Sequence, residues 1–249
     1  MFVAASTRCF PNLPLDLCLE KLADLEYTAV EVVIGTKPGD LNPEFIEAEP
    51  TRALRLIQSC RQINPVAFFF DIATDDPRYF DKFLQCVRLA KALRIITIAV
   101  LSSPLGTPYN EEIERLRRLT QAGIANGITV CVLTQKDCIT DSIDSIHSLC
   151  RSIPELSIAL DPSWFIFERP KPIDFDSLMP YVAHVRLRDT TRTKFQVQLG
   201  QGVLEYNKLV IQLTQVKYDH ALCVDLAPLS RIDQDSEMRK MRMLVESIL

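Results

Sequence analysis

Four side chains with chemistry to offer sit in or at the end of apolar runs. Ile158-Ala159-Leu160 runs into Asp161 and Leu222-Cys223-Val224 into Asp225, while Glu31 interrupts Ala29–Ile34 and Arg186 interrupts Val182–Leu187. An ionised group among Leu, Ile, Ala and Val is costly unless something pairs with it. Such positions therefore mark where strands open onto a site. Asp161, Asp225 and Glu31 are candidate proton-transfer groups. Arg186 offers a fixed charge and a donor fork that can polarise a carbonyl or pair with carboxylates. Other runs end on Thr7-Arg8, Asp71, Ser102-Ser103 and Thr134-Gln135-Lys136, and Arg188-Asp189 follows Arg186. Arg8, Lys136 and Arg188 are candidates to hold a ligand phosphate or carboxylate, with a surface salt bridge as the commoner alternative for each. Trp164, the only tryptophan, either stacks on the apolar face of a sugar ring or plugs a cavity.

The elements that must position these groups are legible as eight short apolar runs. They are Phe2–Ser6, Ala29–Ile34, Pro65–Phe70, Ile95–Val100, Ile128–Leu133, Leu156–Leu160, Val182–Leu187 and Ala221–Leu226. Near-continuous hydrophobicity, rather than strict alternation, is the mark of a parallel sheet covered by helices. Amphipathic stretches lie between the runs. Leu15, Cys18, Leu19, Leu22 and Leu25 recur at helical spacing, as do Phe80, Phe83, Leu84 and Val87. Met238, Met241, Val245 and Ile248 do the same and read as a core face. Pro77 and Pro108 stand at helix starts, and Asp141 and Asp174 are expected N-caps. No glycine-rich phosphate loop of either common type occurs. Eight βα units without one predict an α/β fold, a closed (β/α)8 TIM barrel forming a single domain over residues 1–249. In such a barrel the residues closing the strands share one face, where the chemistry sits.

Composition narrows the setting. The net charge is −4 without any basic block, which argues against nucleic acid or an acidic membrane as partner. No run of about 18 apolar residues occurs, and the first residues lack the layout of a secretory signal, so a cytoplasmic protein is expected. The eight cysteines are scattered without a C-x-x-C pair and read as reduced, small hydrophobes; Cys9, just after the first run, is expected to pack rather than react. Gly200 and Gly202 are expected to permit a tight turn. A homo-oligomer paired through the helical shell is compatible with this architecture.

Several motifs carry a family resemblance. Ala29-Val30-Glu31-Val32, Ile158 to Phe165, His184 to Thr190, Gly200-Gln201-Gly202 and Leu222-Cys223-Val224-Asp225 resemble, in order and across essentially the whole chain, the strand-end motifs of the xylose-isomerase-like TIM barrels. That family includes sugar and sugar-phosphate isomerases and epimerases, inosose dehydratases and apurinic endonucleases. The resemblance implies a divalent metal held by Glu, Asp, His and Glu from strands five to eight, with a second His shortly after the strand-six Asp. Here the corresponding residues are Leu133, Asp161, Arg186, Asp225 and Trp164, so only Asp161 is unchanged. Leucine has no lone pair and a guanidinium offers only donors. No metal and no other cofactor is expected. Losing the carboxylate at Leu133 also removes one of the two proton-transfer groups that the resemblance implies.

The replacements are expected to compensate one another. Arg186 should lie between Asp161 and Asp225, within about 6 Å, and stand in for the metal's charge; the alternative is that it points to solvent. Two functions remain open. One is a metal-independent isomerase, epimerase or lyase acting on a small sugar or polyol derivative. The other is a non-catalytic carbohydrate-binding or regulatory barrel. A nucleic-acid repair enzyme is disfavoured, because it would need many metal ligands while the chain has three histidines, with His147 and His220 in helical segments.

Overall fold

The computed structural model describes all of residues 1–249. Eight parallel strands form a closed barrel in chain order: β1 (Phe2–Ser6), β2 (Ala29–Gly35), β3 (Asn64–Asp71), β4 (Thr97–Val100), β5 (Thr129–Leu133), β6 (Ser157–Leu160), β7 (Val182–Leu187) and β8 (Ala221–Val224). All eight coincide with the apolar runs, with shifts at the ends. Ile95 and Leu226 lie beyond the ladders yet are buried, because an apolar run reports burial and not hydrogen-bond pairing.

The shell comprises α1 (Leu15–Asp24), α2 (Pro43–Ala48), α3 (Pro50–Ile57), α4 (Tyr79–Leu93), α5 (Tyr109–Ile124), α6 (Ile143–Ser152), α7 (Tyr206–Gln215) and α8 (Gln234–Ser247). The sixth unit departs from the ideal. Two 3-10 segments, Pro162–Phe165 and Asp176–Tyr181, replace its α-helix. Pro162, Pro170, Pro172 and Pro180 crowd this connection, and proline within a helix both removes a donor and clashes with the preceding turn. Pro108 is the N-cap residue of α5. At α6 the cap is Ser142, whose hydroxyl accepts the Ser145 amide at 3.1 Å, and not Asp141. Asp141 ends a 3-10 turn one residue earlier and pairs instead with Arg169. Asp174 accepts the Asp176 amide at 2.9 Å from just outside the cap residue, Phe175.

Side chains alternate between two cores. Between sheet and helices lies a cluster of 57 buried residues, against only six and three in the two clusters inside the barrel. Hydrophobic stabilisation therefore resides mainly in the outer layer, which leaves the barrel interior free to carry charge. Its floor is small and apolar, with Ala4, Ala29 and Ala221. Higher up, Val33, Phe69, Ala99, Cys131, Leu133 and Ala159 fill the β2–β6 side. The rest of the upper interior is polar. No helix is long and apolar enough to cross a membrane.

Candidate active site at the barrel mouth

Residues two apart on a strand share a face, so β7 and its extension aim His184, Arg186 and Arg188 into the barrel. All three are buried, at 1%, 3% and 8% exposure. Glu31 from β2 and Asp161 and Asp225, just past β6 and β8, meet them. Arg186 Nη2 lies 3.1 Å from both Glu31 Oε1 and Asp225 Oδ2. Its guanidinium also lies 4.1 Å from the centre of the Phe69 ring on β3. A β7 side chain that touches β2, β3 and β8 spans the barrel axis. Arg188 Nη2 contacts Asp225 Oδ2 and lies 3.0 Å from Asp161 Oδ2. His184 Nε2 is 2.7 Å from the second oxygen of Glu31.

This arrangement revises the expected pairing. Arg186 does reach Asp225 and does not point to solvent, but its second carboxylate is Glu31; Asp161 is held by Arg188. Arg188 is thus a buried bridge and not a surface cation. His184 was missed as an interior residue, although the alternation from Arg186 would have placed it there. Phe69 was missed as well, since a phenylalanine in an apolar strand carries no signal of its own.

The three carboxyl groups are not equivalent. Burial alone would raise Glu31, but Arg186, His184 and the Ser6 hydroxyl outweigh it and hold its pKa near 2. Glu31 is therefore a fixed anion. Burial dominates at Asp161 and pushes its pKa up despite Arg188 and Arg186. Its other contacts anchor it: Oδ1 accepts the Ser163 amide at 3.1 Å, and its own amide donates to Thr134 Oγ1 at 2.9 Å. Arg186 stays charged, since Asp225 and Glu31 more than offset the cost of its burial. A depressed Glu31 stabilises the fold fully above its unfolded value near 4.5, and that contribution is lost as pH falls through 2. Urea unfolding should show Glu31→Gln less stable than wild type by about 3 kcal/mol at pH 6, with the gap closing toward pH 2. A gap that stays constant with pH would mean Glu31 is not held ionised.

The mouth is roofed by the segment after β7. Asp189 Oδ2 accepts the amides of Gly200 at 2.8 Å and Gly202 at 3.0 Å, which folds the intervening loop back on itself. That loop lays Phe195 on Arg188, 4.4 Å from guanidinium to ring centre, and Trp164 stacks on Phe195 at 4.1 Å. A Cβ at Gly202 would overlap the Asp189 carboxylate and stand 2.7 Å from the Thr190 amide nitrogen. Gly202→Ala should therefore release the loop at a cost of about 1–3 kcal/mol. The emission of Trp164, the only tryptophan, should shift to the red as Phe195 leaves it. Unchanged emission would show that the loop does not hold this stack.

Arg8 and Lys136 lie at the rim. Arg8 pairs with Asp40 at 3.0 Å and with Asp71, tying together the ends of β1 and β3. Lys136 pairs with Glu168. Cys9 is buried, with its sulfur 3.4 Å from the Val224 carbonyl and 3.3 Å from the Leu226 amide, and burial pushes its thiol well up. It packs.

The residues present do not fit a divalent ion at the strand ends. Leu133 offers no ligand atom, and the Asp161 and Asp225 oxygens that would face an ion are occupied by guanidinium groups. One layer deeper, Glu31, His184 and Cys223 bring ligand atoms within 4.8 Å of one another. There Glu31 is already paired through both oxygens, with His184 and with Arg186, so an ion would have to displace a guanidinium and take the imidazole from its carboxylate.

Comparisons with known proteins agree with this architecture. Among curated proteins none matches the chain. Solved structures with the same fold include a xylose isomerase-like TIM barrel protein from Mycobacterium smegmatis in complex with magnesium, at TM-score 0.81 and 11% identity, covering 99% of this chain and 97% of that one. A xylose isomerase domain protein from Alicyclobacillus acidocaldarius superposes with TM-score 0.78 at 15% identity over 100% and 98% of the two chains. D-allulose 3-epimerase from Methylomonas sp. gives 0.77 at 13% identity, with the same coverage. A family model described as xylose isomerase-like TIM barrel matches residues 19–241, and the chain belongs to that family.

Proposed function

We propose that this barrel handles a small sugar or polyol derivative in the manner of the isomerases and epimerases, without a divalent metal, and that Arg186 supplies the charge at its centre. The carrying observation is the Arg186 guanidinium on the barrel axis, 3.1 Å from both Glu31 and Asp225. The Nε groups of Arg186 and Arg188 have no acceptor within the chain. Both are buried, so a carbonyl or hydroxyl oxygen meets them only on entering the cluster, where a fixed cation stabilises developing negative charge. Asp225 is the most exposed carboxylate of the cluster, its side chain 12% accessible against 1% and 0% for Asp161 and Glu31, and takes the substrate proton. Asp161, which shares the Arg188 guanidinium with Asp225, is the second carboxyl group of the proton exchange. Glu31, held ionised, positions Arg186 and does not exchange protons. Trp164 with Phe195 provides an apolar wall, and Arg188 a polar contact beside it; Arg8 and Lys136 reach a ligand only by leaving their carboxylate partners. The reading places the protein in the cytoplasm, where eight unpaired cysteines stay reduced.

A non-catalytic carbohydrate-binding or regulatory barrel is the second reading. It is favoured by the burial of the cluster, in which no side chain exceeds 12% exposure, and by the stacked roof above it. One experiment separates the two. A sugar and polyol panel is screened by thermal shift in excess chelator, and each binder is then assayed for turnover. The proposed enzyme requires turnover that survives chelation and falls at least about a hundredfold in Asp225→Asn. Binding without turnover would establish the second reading, and binding or turnover that needs added metal would overturn the metal-independent enzyme.

A further inference from the structure

The roof over the ionic cluster has two parts that are held differently. From Val197 onward it is anchored: the Val197 amide donates to the Asp189 carbonyl at 2.9 Å, and Gly200 and Gly202 donate to the Asp189 carboxylate. Leu199 packs on the outer core, and its amide donates to the buried Glu237 at 3.0 Å. The tip, Thr191–Gln196, has no such footing. None of its residues is buried. Its own fold is a single turn, closed by the Thr191 amide and the Thr190 hydroxyl, which donate to the Lys194 carbonyl at 3.0 and 3.1 Å.

The tip crosses the mouth from the β6 side to the β8 side. At one end the Arg192 carbonyl accepts the Glu168 amide at 2.9 Å, and Arg192 Nε donates to the Arg169 carbonyl at 3.1 Å. At the other end the Gln196 side-chain amide engages both backbone groups of Ala227, donating to its carbonyl at 2.7 Å and accepting its N–H at 2.8 Å. Between these ends Phe195 lies on Arg188, which in turn holds Asp161 and Asp225. The bonds of Arg192 and Gln196 are exposed, where water competes for them. A segment with little buried apolar surface and solvent-exposed bonds opens at a free energy well below that of global unfolding. The carboxylates and guanidinium groups below are at most 12% exposed, so a ligand reaches them only when their cover moves. We propose that Thr191–Gln196 is a strap that opens as one unit, hinged where Asp189 fixes Val197, with Gln196 as its latch and Phe195 as the plug that leaves Arg188. Opening exposes Arg188, Asp161 and Asp225, and closing covers a molecule bound there. The motion belongs to the chain itself, while its use for a sugar or polyol rests on the functional reading above.

Two amides outside the strap report on it. The Glu168 N–H is covered by Arg192 and the Ala227 N–H by Gln196, at opposite ends, whereas the Asp225 N–H bonds to the Leu187 carbonyl within the barrel at 2.9 Å. The test is residue-resolved hydrogen exchange on the full chain and on Gln196→Leu. In the wild type, Glu168 and Ala227 are expected to show matching protection, at least about a hundredfold below that of Asp225. Gln196→Leu removes the latch, so Glu168 at the far end should lose about tenfold in protection while Asp225 is unchanged. Labelling of arginines with phenylglyoxal reads access to the cluster: Arg188 should react at least about fivefold faster in the variant, and Arg8 at the rim at the same rate. Protection of both amides equal to that of Asp225, a Gln196→Leu effect confined to Ala227, or unchanged labelling of Arg188 would each overturn the strap. None of these outcomes involves a ligand, so failure of the sugar and polyol panel would count against the functional reading alone.

Discussion

Arg186→Met is expected to destabilise the folded chain by about 3–5 kcal/mol in urea unfolding at neutral pH. Methionine fills much of the same volume, so the loss is electrostatic more than steric. Without the guanidinium, Glu31 and Asp225 lose the cation 3.1 Å from each. Glu31 is fully buried, and its low pKa exists largely because of Arg186. An uncompensated buried carboxylate either takes up a proton or unfolds the site. A second variant checks that this is the cause. Arg186→Met/Glu31→Gln should recover part of the stability, because it removes the stranded charge along with its partner. If the single substitution cost less than about 1 kcal/mol, the level of an exposed pair, the guanidinium would not be the centre of the network.

The second large effect concerns metal binding. Restoring Leu133→Glu, Trp164→His and Arg186→His returns the ligand types that the family resemblance implies, but these three alone should give only a weak site. Arg188 Nη2 would still contact both Asp161 and Asp225, where it competes with a divalent ion for the same oxygens. Adding Arg188→Gln should therefore create the site. Manganese or zinc at a hundredfold excess over its dissociation constant should then stabilise the four-fold variant by about 2.7 kcal/mol. The three-fold variant should bind at least about tenfold more weakly, since a cation would stand a few ångströms from the ion. Equal affinity in the two would show that Arg188 does not occupy the metal's place.

Which features the sequence disclosed follows from how each one is built. The strands were readable because helices cover them, so the apolar run is nearly unbroken. Asp161, Asp225, Glu31 and Arg186 stood out because each violates such a run. Arg188 was legible as a candidate ligand-binding cation but not as a buried one, because it follows the end of β7, where charge is ordinary; only the continued inward alternation buries it. The α-helix missing between β6 and β7 was hidden by apolar residues that pack equally well from 3-10 turns. Phe195 reaches the site through a loop whose return is set by Asp189 and two glycine amides, a tertiary arrangement with no periodic signature.

The most direct test of the central claim is calorimetric titration of the chelator-treated wild-type protein with magnesium, manganese and zinc, in parallel with Asp161→Asn. With guanidinium groups seated on Asp161 and Asp225, no stoichiometric site tighter than about millimolar is expected at the mouth, and Asp161→Asn should leave the titration unchanged. One tightly bound ion per chain, lost in Asp161→Asn, would contradict the account.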